Sequence, residues 1–144
     1  VSWVGSFLTW SFKRELYEGL HDFRVDVFKM ALYSTVANLS PNATIGYTTD
    51  GELPALGGYT AGGKQTLAYA PRVTATGTVI VDFENVEWNP ATFSARGGLL
   101  YNASKSGWPS VFVLDFQIDR IPNAGRFIIE FPAGNELSAI LRTP

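Results

Sequence analysis

The residues best equipped for chemistry are few and scattered. His21 is the only histidine among 144 residues, and it adjoins Asp22. An imidazole beside a carboxylate can serve as a general base, but it needs a motif that brings a nucleophile to it. None surrounds this pair, which falls at a predicted helix-to-strand corner, so His21 reads as a structural or surface residue. Ser94, Ser104 and Ser106 lack the G-x-S-x-G turn of a nucleophilic serine, and all would have to share that one histidine. Asp82 with Glu84, and Asp115 with Asp119, fall at predicted strand ends where oxygen ligands could gather around calcium. No D-x-D-x-D-G loop accompanies them, so they read as solvated strand ends. The chain has no cysteine, which removes thiolate nucleophiles, disulfides and zinc sites of the Cys type. The expectation is a protein that is not an enzyme, with no catalytic residue, no metal and no cofactor.

Other motifs are equally short of a full signal. The run from Gly57-Gly58 to Gly62-Gly63-Lys64 resembles a phosphate loop, but Gln65 follows the lysine where Ser or Thr is required. Loop flexibility is the expected reason for those glycines. Asn38-Leu39-Ser40, Asn42-Ala43-Thr44 and Asn102-Ala103-Ser104 match a three-residue glycosylation pattern that is common by chance, and they read as turn residues. Trp88 and Trp108 fall near predicted turns, where they could be sugar-stacking platforms, interface anchors or core residues.

The elements that must position these residues follow from composition and periodicity. Hydrophobic residues form 46% of the chain and charged residues 17%, enough apolar surface to drive folding. Twenty aromatics beside 14 Gly and 8 Pro favour short strands and tight turns. A net charge of -2 gives no general field for phosphates, so neither nucleic acid nor an anionic membrane is an expected partner. Phe12, Leu16, Leu20 and Phe23 recur at helical spacing, predicting a helix over about residues 12–20, capped by Ser11 and stopped at Gly19. From Val25 to Tyr33 the pattern alternates, which predicts a strand. Residues 34–70, rich in Thr, Asn, Gly and Pro, predict a long connection with room for one short helix. Strands are then predicted over 72–76, 78–83, 98–102, 111–117, 126–131 and 139–142, with turns at Thr76-Gly77-Thr78 and across Asn102 to Pro109. The class is mainly β: an antiparallel β-sandwich, jelly-roll or Ig-like, of about seven or eight strands with one short N-terminal helix.

Residues 1–11 read as an apolar N-terminal arm and residues 12–144 as a single β-sandwich domain. The arm is too short for a membrane span and lacks the basic start and cleavage site of a signal peptide. Trp3, Phe7 and Trp10 share helical spacing, with Leu8 beside them. They are expected to dock either on the chain's own sandwich or on a neighbouring subunit. Trp3, Phe7, Leu8, Trp10 and Trp108 are therefore the candidate partner-binding residues.

The order of several segments is similar to one known group. Phe12-Lys13-Arg14-Glu15-Leu16, Gly19 to Phe23 and Phe28 to Tyr33 come first. Tyr47-Thr48-Thr49, Gly58 to Gly63, Ala95 to Asn102 and Val113-Leu114-Asp115-Phe116 follow. Over about residues 12–142 the chain resembles the small virion structural proteins of tailed bacteriophages and prophages. That resemblance implies a virion location and a capsid decoration or cement role, as a homo-oligomer bound to the major capsid protein or other virion proteins. A tail or head–tail connector component, such as an adaptor, tube or fibre-anchoring subunit, is the alternative. A carbohydrate-binding module is a third reading, and it requires Trp88 and Trp108 to be exposed together on one face.

Overall fold

The computed structural model describes residues 3–135 and 137–143. The chain is mainly β, with 39% strand and 6% helix, in antiparallel sheets that form a sandwich. In chain order the elements are β1 (Phe7–Leu8), α1 (Trp10–Glu18), β2 (Phe28–Tyr33), β3 (Lys64–Thr66), β4 (Arg72–Val73) and β5 (Val79–Val81), then β6 (Val86–Ala91), β7 (Ala95–Asn102), β8 (Ser110–Arg120), β9 (Gly125–Ile129) and β10 (Leu141–Thr143). Ten strands are present among the described residues, more than the seven or eight expected. The additional ones are short or irregular: β1 and β3 span two and three residues. Strand β6 reads VEWNPA, with Pro90 inside the register shift against β9 that hides it from a strand pattern.

The largest sheet has the order β1-β8-β7-β2-β3, and the sheets β10-β5-β4 and β6-β9 complete the sandwich. Phe28, Met30 and Leu32 of β2 join Leu100, Phe112, Val81, Phe83, Val86, Trp88, Ile129 and Leu141 in the main core. The other face of the large sheet is covered as well. Ala31, Tyr33, Leu99, Tyr101 and Val113 pack there with Ala37, Leu39 and Tyr47 of the long connection and with Trp3 and Phe7. Burial on both faces accounts for the near-continuous apolar runs of β2, β7 and β8.

The helix starts two residues earlier than its periodicity predicts. Thr9, not Ser11, is its N-cap residue, with extended backbone. The Thr9 hydroxyl makes no capping bond and instead meets the hydroxyl of Ser110, 2.9 Å away on β8. The predicted stop is where the helix ends: Gly19 is left-handed at φ 71°, with Gly19 N–H donating to Leu16 O and Leu20 N–H to Glu15 O. The buried face is Ser11, Phe12 and Glu15, whereas Leu16, expected on the apolar stripe, is 47% exposed. Glu15 is drawn inward because the buried His21 ring meets it, Nε2 to Oε1, at 2.9 Å.

Residues 34–63 contain turns and no helix. The glycines of this stretch are sites of close approach rather than flexible links. At Gly57 (φ 63°) a Cβ would collide with the Thr92 carbonyl, and at Gly63 (φ 83°) with the Met30 carbonyl, so only glycine lets the connection lie flat on the sheet.

Candidate assembly surface

The five candidate residues fall into two groups. Trp3, Phe7 and Leu8 are half-buried against the chain's own large sheet. Phe7 and Leu8 pair with Val113 and Phe112 on the outer edge of β8. Trp3 lies on Gly97 of β7, where any Cβ would strike the indole, and the Arg96 guanidinium sits 5.7 Å from the ring centroid. The Trp3 indole N–H is buried without a partner. Val1 and Ser2 of the arm lie outside the described residues.

Asp115 ties this segment down. Its carboxylate accepts from Gly5 N–H at 3.0 Å and from Arg96 Nε at 3.1 Å, while Asp115 N–H donates to Ser6 Oγ at 2.9 Å. Burial works to raise the Asp115 carboxyl pKa. The Gln117 N–H, the Arg96 guanidinium and the Gly5 N–H outweigh it, so the net direction is downward from 3.8. This corrects the expectation of a solvated strand end.

Trp10 and Trp108 form the second group, 59% and 49% exposed. Trp10 opens α1. Trp108 stands at the tip of the β7–β8 hairpin with φ 47°, a left-handed conformation costly for a bulky side chain. It is held there by Tyr47 and Tyr101, at ring centroid distances of 5.6 and 6.2 Å, and by Tyr47 N–H donating to its carbonyl at 2.9 Å. Trp10 and the residues flanking Trp108, Gly107 and Pro109, line one groove of about 600 Å³ together with Leu20, Ile45 and Arg14. The exposed Leu16 and Tyr17 lie on the same helix.

Two polar clusters support this surface from below. His21 Nδ1 is 3.0 Å from Asn102 Nδ2, which also donates to Asp26 Oδ2 at 2.8 Å. Asn102 Oδ1 accepts the Ser104 N–H, so the amide orientation is set and His21 Nδ1 acts as an acceptor. His21 is thus a buried strut joining α1 to the base of the hairpin. Burial pushes the Asp26 carboxyl up, but bonds from Asn102 and the Asp22 N–H, with Lys105 nearby, pull it down overall.

The second cluster surrounds Glu52. It accepts from Tyr47 Oη at 2.6 Å, Tyr59 Oη at 2.5 Å and Gly62 N–H at 2.7 Å. Burial, and then the Glu52 carboxylate, push the Tyr47 and Tyr59 phenols up, and the same two causes bring Tyr101 to about 12. These phenols therefore stay protonated as donors and rivet the long connection beneath Trp108. Sequence reasoning missed this cluster because its members lie in the stretch without periodicity.

The serines and carboxylates weighed for chemistry do not assemble. Among the described residues no three His, Asp or Glu side chains gather at metal-binding distance. Trp88, far from Trp108 in role, is 3% exposed and packs against Tyr59, Phe93 and Phe127. The two-tryptophan face that sugar binding was expected to use is therefore absent. No family model, no curated protein and no solved structure matches the chain.

Proposed function

We propose that this chain is a non-enzymatic structural protein of a tailed-phage particle, a capsid decoration or cement protein that binds neighbouring shell subunits. The observation that carries the reading is the groove bordered by Trp10 and the Trp108 tip. Tryptophan, tyrosine and arginine dominate interface energies, most of all when several anchor around one pocket. Here the Trp108 ring is held before any partner arrives by Tyr47 and Tyr101, and Trp10 stands on the first turn of α1. Pre-ordering of that kind lowers the entropy lost on binding. The segment-by-segment resemblance to phage virion proteins supports the particle as the place where the partner is found.

The test is cosedimentation of the purified chain with phage shells and, separately, with tails. Trp10→Ala combined with Trp108→Ala should weaken shell binding by at least about tenfold, the effect of losing an interface anchor, with the melting temperature unchanged. Undiminished binding would overturn the reading. Binding to tails but not shells would replace the decoration role with that of a tail or connector subunit.

A further inference from the structure

Strand β9 has one partner. Among the described residues it pairs with β6 alone, in a two-stranded sheet, and its other edge is open. Which main-chain groups face that edge follows from alternation. Phe131 N–H points to the β6 side, donating to Asn85 Oδ1 at 2.9 Å. Ile129 and Phe127 share its parity, so the N–H and C=O groups of Arg126, Ile128 and Glu130 face away from β6. No hydrogen bond beyond the β6 ladder takes them up among the described residues. The open edge borders a groove of about 730 Å³ between β9 and the far half of β8, lined by Leu114, Phe116 and Phe127, with the exposed Ile121 at its lip.

We infer that this edge is a self-association site, in which β9 of one copy pairs antiparallel with β9 of a second copy about a twofold axis at Ile128. The two-stranded sheets of the copies would then merge into one, ordered β6-β9-β9-β6. Charge selects both the occupant and the register. An axis at Arg126 would oppose arginine to arginine, and an axis at Phe127 or Ile129 would set a charge against Ile128. With the axis at Ile128, Arg126 of each copy faces Glu130 of the other, and Ile128 meets its own counterpart. Opposite charges directly across a strand pair stabilise it, whereas like charges do the reverse.

The side chains are placed for this. Arg126 contacts Glu87 on β6 through Nε alone, which leaves its other guanidinium donors free for a second carboxylate. Glu130 is exposed and has no partner among the described residues. Edges guarded against pairing carry lysines, proline or a bulge in the strand. Here the two charges are opposite in sign and equidistant from Ile128, which makes the edge complementary to itself. A twofold contact needs that property. The inference stands independently of the virion reading.

Sedimentation velocity over a range of protein concentrations tests it. The wild-type chain should dimerise. Glu130→Arg sets arginines opposite one another twice and should weaken the dimer at least about tenfold, as should Arg126→Glu, while the double reversal should restore it. Circular dichroism checks that each variant is folded. Because the chain has no cysteine, Ile128→Cys places a single thiol on the proposed axis. Directly opposed hydrogen-bonded residues have Cα atoms about 5.5 Å apart, within disulfide reach, so mild oxidation should yield a covalent dimer. A monomer at every concentration, a dimer indifferent to charge reversal, or one that the double reversal fails to restore would overturn the inference.

Discussion

The N-terminal segment and the hairpin tip are both aromatic, and from sequence both look adhesive, yet the fold treats them oppositely. Trp3 finds a seat on Gly97 and Phe7-Leu8 find an open edge on β8, whereas Trp10 and Trp108 find no such cover. An aromatic run does not carry its own destination. The destination is set by whether some distant part of the chain offers a flat, side-chain-free surface or an unpaired strand. The segment's docking is also imperfect: the Trp3 N–H is buried unpaired, at a cost on the order of 1–3 kcal/mol. Apolar contact and the Asp115 anchor must offset that cost.

The comparison can be broken most forcefully at Gly97. Gly97→Val puts a side chain where the Trp3 ring and the Leu114 carbonyl lie, and should destabilise the protein by about 1–3 kcal/mol through overpacking. Thermal denaturation would show it, and an unchanged melting temperature would mean that Trp3 does not occupy its seat. Trp3→Ala should cost somewhat less, about 1–2 kcal/mol, since the ring is only half-buried. In a double-mutant cycle, urea denaturation should show Gly97→Val adding less damage once Trp3 has been removed.

A smaller effect is expected from pH. The folded-state pKa of Asp115 is lowered below its ordinary 3.8, so its contribution is fully present above that value and is lost as pH falls through the folded value. Stability should therefore decline with acidification below about pH 4. Asp115→Asn should be less stable at neutral pH and show a shallower acid decline, as measured by denaturation at a series of pH values. A parallel decline in both proteins would remove Asp115 as the anchor.

The smallest stability change belongs to the tip. Trp10→Ala and Trp108→Ala should each lie within about 0.5 kcal/mol of wild type, as exposed residues do. Trp108→Gly, which relieves the left-handed strain at that position, should leave the melting temperature unchanged or raise it. A large loss of stability in any of these variants would show that the tip belongs to the core rather than to a contact surface.

Much of the framework was legible. The Gly19 stop, the alternation of β2, the turn between β4 and β5 and the hairpin from Asn102 to Pro109 all rest on signals within a few residues, and the structure contains each of them. The candidate surface was legible in part. Trp10 and Trp108 could be picked out as residue types, but the sequence does not show that Trp10 and the residues flanking Trp108 border one groove. Strand β1 was hidden because its two residues become a strand only where β8 offers an edge. Residues 34–63 were opaque because they are held by the Glu52 cluster and by glycine approaches to the sheet, contacts without a period.

The amino-acid sequence by itself determined the β class, the short N-terminal helix and the tight turns. These depend on alternation, turn chemistry and side-chain volume read over a handful of neighbours. The apolar run Phe127-Ile128-Ile129, by contrast, reads as a strand covered on both faces but is a partly exposed strand of a two-stranded sheet. Tertiary structure alone decided that Trp88 is core, that Trp3 is seated, that Trp10 and Trp108 stand exposed, and that β9 keeps an open edge. Each of those outcomes depends on surfaces brought together from far along the chain, as Gly5 is brought to Asp115 across 110 residues. The free energy of such contacts belongs to the pair, and neither member shows it alone.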